Sequence, residues 1–172
     1  EDSYGDDTRR ASRLAYAVPD DDDVNQWWDV GGRQNLRIWE EGGRSVGSLL
    51  TIPMGIFLGG RSVAQHGIAG VAIAPEARGR RAAFEMMSAH LRELGEAGVP
   101  VSTLFASTQG LYRSLGYAIG GRSYIADLPL DTFRGAGLRD AQWRELKESD
   151  RAAVQERYRE LHRHSPGSLD RG

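Results

Sequence analysis

The 172-residue sequence contains no cysteine, which excludes disulfides, thiolate metal sites and thiol nucleophiles together. The same absence fits a reducing compartment, so a cytoplasmic location is expected. No window approaches the roughly 18 apolar residues that a bilayer-spanning helix requires, and no membrane partner is expected. The opening residues, Glu1-Asp2-Ser3-Tyr4-Gly5-Asp6-Asp7, are acidic and lack the apolar stretch of a signal peptide. An excess of one charge is also missing. The 22 Lys and Arg against 24 Asp and Glu leave a net charge of −2, so no broad basic field is available to hold nucleic acid. There is no Walker loop, no Ser-His-Asp order and no paired-carboxylate motif. His162 and His164 are two apart and diverge on a helix, His66 and His90 read as structural or surface residues, and no metal is expected.

The hydrophobic 40% and charged 27% of the chain are enough for one ordinary core, in one domain or one domain plus part of another. Asp7 or Thr8 is expected to cap a helix reaching about Val18. Pro19 ends it, and Asp20-Asp21-Asp22-Asp23 opens a loop ahead of the Trp27-Trp28 pair. Leu36–Trp39 and Val46–Ile52 flank a Gly42-Gly43 hairpin signal, Gly59-Gly60 marks another turn, and Ile68–Ala74 is a third strand stopped by Pro75. Residues 79–97 read as a helix whose buried stripe is Ala83, Met87, Leu91 and Leu94. Val101–Ala106 is a strand, Gln109–Leu115 a short helix and Tyr117–Leu128 a long strand. Strands alternating with helices argue an α/β fold around one mixed, mostly antiparallel sheet. Pro129–Gly137 reads as a linker. Ser149–His162 is a helix with Val154, Tyr158 and Leu161 on one stripe, and residues 165–172 are loop-like.

Two segments carry chemistry. Val71-Ala72-Ile73-Ala74-Pro75-Glu76-Ala77-Arg78-Gly79-Arg80-Arg81-Ala82-Ala83 is a strand leading through a basic turn into a helix N-terminus. Unpaired N–H groups, the positive end of the helix dipole and three arginines suit a pyrophosphate there. A basic loop that merely starts a surface helix has the same composition. In Ser107-Thr108-Gln109-Gly110-Leu111-Tyr112-Arg113-Ser114-Leu115-Gly116-Tyr117, a tyrosine on a short helix follows a strand. Such a hydroxyl can protonate a departing thiolate, and two core tyrosines bracketing a turn is the competing reading. Asp20, Asp21, Asp22 and Asp23 beside Trp27 and Trp28 offer a cationic amine both charge and aromatic faces. A solvated acidic loop is the alternative. The run lacks the alternation and glycine of an EF-hand.

Together these segments resemble the GNAT N-acetyltransferase superfamily, and within it the Eis-like branch (enhanced intracellular survival proteins). The resemblance runs from about Leu36 to Leu128. Its phosphate loop, Gln/Arg-x-x-Gly-x-Gly/Ala, is matched by Arg78-Gly79-Arg80-Arg81-Ala82-Ala83. Arg81 stands where glycine is usual, and a side chain is expected to be tolerated because the position opens a right-handed helix. Leu58-Gly59-Gly60-Arg61-Ser62-Val63, Gly67-Ile68-Ala69-Gly70-Val71 and the tail with Tyr158 and Pro166-Gly167-Ser168-Leu169-Asp170-Arg171 also look like the Eis-like branch.

The resemblance implies a GNAT acetyl-CoA-binding domain over 1–130 and the beginning of a second GNAT-like domain over 138–172. It implies acetyl transfer from acetyl-CoA to a small-molecule or peptidyl amine by direct attack. Val71 and Ile73 would offer main-chain groups to the pantetheine arm, and Arg78, Gly79, Arg80, Arg81, Ala82 and Ala83 would hold the pyrophosphate. Ser107 would lie near the acetyl-CoA, and Tyr112 would be the general acid. In that branch the base is the chain's C-terminal carboxylate, so none of residues 1–172 is assigned as base, and the complete protein is expected to be a homo-oligomer. A non-catalytic acyl-CoA sensor or assembly module of GNAT fold is the alternative function.

Overall fold

Two glycine pairs set the course of the sheet. Gly42 and Gly43 lie at φ 59° and 76°, Gly59 and Gly60 at 58° and 78°, the left-handed conformation that a type I′ hairpin turn needs at both central positions. In the computed structural model, which describes residues 3–17, 19, 21–121, 124–133, 142 and 144–171, they join strands β1 (Leu36–Glu41), β2 (Arg44–Leu58) and β3 (Arg61–Ile73) into an antiparallel meander. Helix α3 (Ala82–Glu96) then crosses back so that β4 (Val101–Leu104) pairs parallel to β3, from Gln65↔Val101 to Ile68↔Leu104. A parallel neighbour requires such a long crossover. The order is β1-β2-β3-β4, and a short β5 (Leu169–Asp170) lies antiparallel to β2 at Gly55 and Ile56. This is the α/β, mixed and mostly antiparallel sheet expected from the sequence.

The two faces are covered by different helices. Leu49 joins Met86 and Met87 of α3 in the core, whereas its neighbour Ser48 meets Ser12 of α1 (Ser3–Tyr16) through paired hydroxyls 3.2 Å apart. Adjacent strand residues face opposite ways, so α1 and α3 lie on opposite faces. On the α1 face, α2 (Asp21–Gly31) brings Gly31 against Leu50. Two expectations for this region are corrected. Helix α1 begins at Ser3, and Thr8 is not its cap but a buried residue sharing a 2.6 Å hydrogen bond with Ser45. The aspartate run does not open a loop. Asp21, Asp22 and Asp23 form the first turn of α2, where acidic residues suit the positive end of the helix dipole.

The buried stripe of α3 is Ala82, Met86, Met87, His90 and Leu94, turned from the expected stripe because histidine takes a core position. His90 Nδ1 lies 2.9 Å from Glu93 Oε2, and Glu93 accepts Arg37 Nη2 of β1 at 2.6 Å. Residues 117–121 and 124–129 form no strand, contrary to the long strand expected there (122 and 123 lie outside the described residues). The apolar pattern that suggested it is present, but Ile119, Tyr124, Ile125 and Leu128 are exposed and no ladder receives them. The tail, expected as loop, instead supplies β5. Arg159 Nε of α5 (Arg151–His162) donates to the buried Asp170 Oδ1 at 3.0 Å. Val154 and Leu161 of α5 are exposed. In the expected linker, Leu130–Phe133 is a 3-10 turn, and residues 134–137 lie outside the described ones, as do 138–141.

The Arg37 hydrogen bonds, then the His90 contact, hold the Glu93 carboxyl at about 2, below its ordinary 4.5. A group depressed in the fold stabilises it fully above about pH 4.5, and that contribution is lost as pH falls toward 2. Because Glu93 is about half exposed, its contribution is at most about 1 kcal/mol. Glu93→Gln should therefore be less stable than wild type at pH 6 and converge with it by pH 2.5, as read from urea unfolding at both pH values.

Candidate active site

Between Ser48 and Leu50 the register of β2 on β3 slips, with Ser48 opposite Ala72 and Leu50 opposite Ala69. Two residues of β3, Gly70 and Val71, therefore face one of β2, which is a β-bulge. Gly70 adopts φ 59°, and the Trp27 ring of α2 fills the space a Cβ would take. Pairing of β3 with β4 ends just before the bulge, at Ile68↔Leu104. Beyond it β3 has an edge that no strand among the described residues pairs with. Ala74 N–H donates to Val46 of β2 at 2.8 Å, so by strand alternation Ile73 and Val71 turn their main-chain groups the other way, toward the opening. Both carbonyls there are capped by side chains. Val71 O accepts the Tyr16 hydroxyl at 3.2 Å, and Ile73 O accepts Arg78 Nε at 3.1 Å.

The basic turn follows directly. Pro75–Ala77 makes one 3-10 turn, Gly79 lies at φ 76°, and α3 starts at Ala82, leaving the first N–H groups of that helix without intrahelical partners. Arg80 Nη2 donates to Glu76 O at 2.7 Å, and the Glu76 carboxylate accepts Arg10 Nη1 of α1 at 2.7 Å, which lowers its pKa. Arg81 is not at the start of a right-handed helix, as expected, but left-handed at φ 66°, ψ 8°. That explains why glycine suits this position. The Arg81 guanidinium stacks 4.5 Å from the centroid of Phe84.

Opposite the turn, α4 (Gln109–Ser114) carries Tyr112, only 7% exposed, with its ring edge-on to Tyr117 at 6.0 Å. Burial, then the neighbouring Tyr117, raises the Tyr112 hydroxyl above its ordinary value, so it is a protonated donor at neutral pH. Val71, Ile73, Arg78, Arg81, Ser107 and Tyr112 line one cleft of about 710 Å³, within the range of small-molecule sites. Gly79, Ala82 and Ala83 border the same cleft; Arg80 does not line it. The structure thus brings the two sequence segments together.

The residues expected on the amine side are more scattered. Asp20 and the side chains of Asp21 and Asp22 lie outside the described residues, and Asp23 is exposed. Trp28 is buried, and its Nε1 has no hydrogen-bond partner among the described residues. Trp27 lines a second groove of about 350 Å³ with Val30, Ile52, Pro53, Leu169 and Arg171. Sequence reasoning did not single out Tyr16, which caps the cleft-lining Val71 from α1. Its ring lies 6.3 Å from Trp27, and its hydroxyl is raised by burial and then by Tyr112. The only sequence signal was an aromatic residue at the end of a helix. Among the described residues no cluster of His, Asp or Glu suits a metal.

Gly70→Ala combines left-handed strain of roughly 1–3 kcal/mol with overpacking of roughly 1–3 kcal/mol against Trp27. It should lose about 2–6 kcal/mol in urea unfolding, whereas Gly42→Ala, with open space at its Cβ, should show the strain alone. Arg81→Gly should be more stable than Arg81→Ala by about 1 kcal/mol, since both lose the side chain and only one keeps the strain.

The profile of a family described as Acetyltransferase (GNAT) domain matches residues 1–120. No curated protein matches the sequence. Among solved structures, a GCN5-related N-acetyltransferase from Kribbella flavida is 26% identical, with a TM-score of 0.81 over 97% of this chain and 44% of its own. Another, from Anabaena variabilis ATCC 29413, is 30% identical, with a TM-score of 0.61 over 66% of this chain and 29% of its own. AAC(6′)-Iy, solved with the bisubstrate analogue CoA-S-monomethyl-acetylneamine, shares the fold at 15% identity and a TM-score of 0.58, over 74% of this chain and 93% of its own. The chain spans less than half the length of the two GCN5-related proteins. With a family profile covering residues 1–120 and this fold beneath it, the chain belongs to the GNAT acetyltransferase family.

Proposed function

We propose that this chain binds acetyl-CoA in the cleft between β3, the basic turn and α4, and serves transfer of the acetyl group to an amine. The observation that carries the reading is the convergence on one cleft of the free β3 edge, the arginine-bearing turn at the α3 N-terminus and the protonated Tyr112. On this reading the turn and the first N–H groups of α3 hold the pyrophosphate, with Arg78 and Arg81 adding charge at the cleft and Arg80 beside it. The pantetheine arm lies along Val71 and Ile73, and Ser107 borders the acyl end. The amine nitrogen attacks the thioester carbon, the C–N bond forms as the C–S bond breaks, and Tyr112 gives its proton to the departing sulfur. With no cysteine among these 172 residues, none of them can carry the acyl group as a thioester.

The acceptor belongs, on this reading, to the side of Trp27 and the α2 aspartates. AAC(6′)-Iy carries its CoA-linked acetylneamine analogue on the same fold, which supports an amine acceptor. The motifs around Gly59-Gly60, Gly70 and Pro166-Gly167 support the Eis-like branch. That residues 138–172 begin a second GNAT-like domain, and that the whole protein is a cytoplasmic homo-oligomer, belongs to the same proposal. The uncovered Val154 and Leu161 of α5 support a further packing surface.

The test separates catalysis from binding. Tyr112→Phe keeps the ring and removes the proton donor, so turnover, read as free thiol release, should fall about 10²- to 10⁴-fold while acetyl-CoA affinity by calorimetry stays unchanged. Unchanged turnover in a folded variant would remove Tyr112 from the mechanism. Acetyl-CoA binding without turnover by the full-length protein on any amine would favour the non-catalytic module.

A further inference from the structure

The free edge of β3 is not bare. Two carbonyls face the opening, and each already accepts a hydrogen bond from a side chain, Tyr16 Oη on Val71 and Arg78 Nε on Ile73. Buried or half-buried carbonyls are rarely left unpaired, so the open cleft must supply donors that a strand partner would otherwise supply. β4 cannot, because its pairing with β3 ends at Ile68. The two caps differ in how firmly they are held. Arg78 is only five residues from Ile73 and is part of the turn itself. Tyr16 comes from another element. It is the last residue of α1, its side chain is half exposed, its bond to Val71 is long at 3.2 Å, and it leans on Trp27 with the rings at 45°.

Resting on the acyl-CoA reading above, we propose that Tyr16 is a further residue of that site, whose hydroxyl stands on the Val71 carbonyl in place of an amide N–H of the pantetheine arm and yields to it when the arm is seated. The exchange keeps the carbonyl satisfied in both states, one hydrogen bond replacing another. The released Tyr16 ring then shifts against Trp27, the side chain that fills the Gly70 bulge and also lines the second groove. Seating of the arm is thereby communicated to the surface expected to receive the amine.

The test uses two ligands that differ by the arm. Coenzyme A carries pantetheine, and adenosine 3′,5′-bisphosphate lacks it. Calorimetric titration of both into wild type and Tyr16→Phe isolates the displaced bond. Phenylalanine keeps the ring and removes the competing donor, so coenzyme A should bind about 2- to 10-fold tighter to the variant, with the bisphosphate unchanged. Tryptophan emission of wild type should change on adding coenzyme A but not the bisphosphate, and Trp27→Phe should abolish that change. This second readout needs no substitution at Tyr16. Coenzyme A affinity that is unchanged or weaker in Tyr16→Phe overturns the proposal, as does an equal change for both ligands. Wild type binding neither ligand overturns the acyl-CoA reading itself, and the proposal with it.

Discussion

Trp27 lies against the Cα of Gly70, in space that any side chain at position 70 would occupy. The contact depends on a left-handed residue in mid-strand, and glycine alone takes that conformation readily. Much of the cleft descends from this arrangement. The bulge shifts the phase of β3 so that Val71 and Ile73, rather than Gly70 and Ala72, face the α3 core and the opening. It comes just after the last β3–β4 pair, leaving the final residues of β3 with one paired edge and one free edge. It also ties α2, and through Tyr16 the end of α1, to the strand that ends in the basic turn.

The turn shows how a chain of net negative charge gathers guanidinium groups in one place. Glu76 is committed to Arg10, and its main-chain oxygen to Arg80, while Arg78 reaches back to Ile73 O. Each guanidinium has five N–H donors, so one internal bond orients the group without exhausting it. An exposed arginine free to wander loses side-chain entropy on binding a phosphate, and these have lost part of it already. Arg81 follows a different route, held over the Phe84 ring on a backbone that favours glycine.

The hairpins were legible in the sequence because Gly42-Gly43 and Gly59-Gly60 announce a backbone conformation, not just a composition. The turn and Tyr112 were legible as two segments, although only the sheet topology places them on one cleft. What the sequence did not show depends on partners distant in the chain. The phase of α3 turns on His90, whose burial is acceptable only because Glu93 and, beyond it, Arg37 are in place. Thr8 looked like a cap until Ser45, 37 residues away, became its partner. Residues 117–128 have strand-like composition, but a strand is a pairing, and the described residues among them find none on the edge of β4. Tyr16 reaches Val71 through one hydrogen bond to a strand 55 residues on, a relation with no local signature.

Burial of Tyr112 bears on the proposed chemistry in two opposed ways. It keeps the hydroxyl protonated, as a general acid must be, yet it also disfavours the tyrosinate left after the proton departs. An ordinary thiol is more acidic than a phenol, so a proton passed from Tyr112 to sulfur runs uphill unless it is promptly replaced. The attacking amine supplies the replacement, since its nitrogen becomes cationic as the C–N bond forms and must shed a proton. The proton account closes when the loss from nitrogen and the gain at sulfur are linked, with Tyr112 protonated before and after. A strong base is then less necessary than a short path from nitrogen to the phenol oxygen. Tyr112, on the wall of the cleft, is where such a path would end.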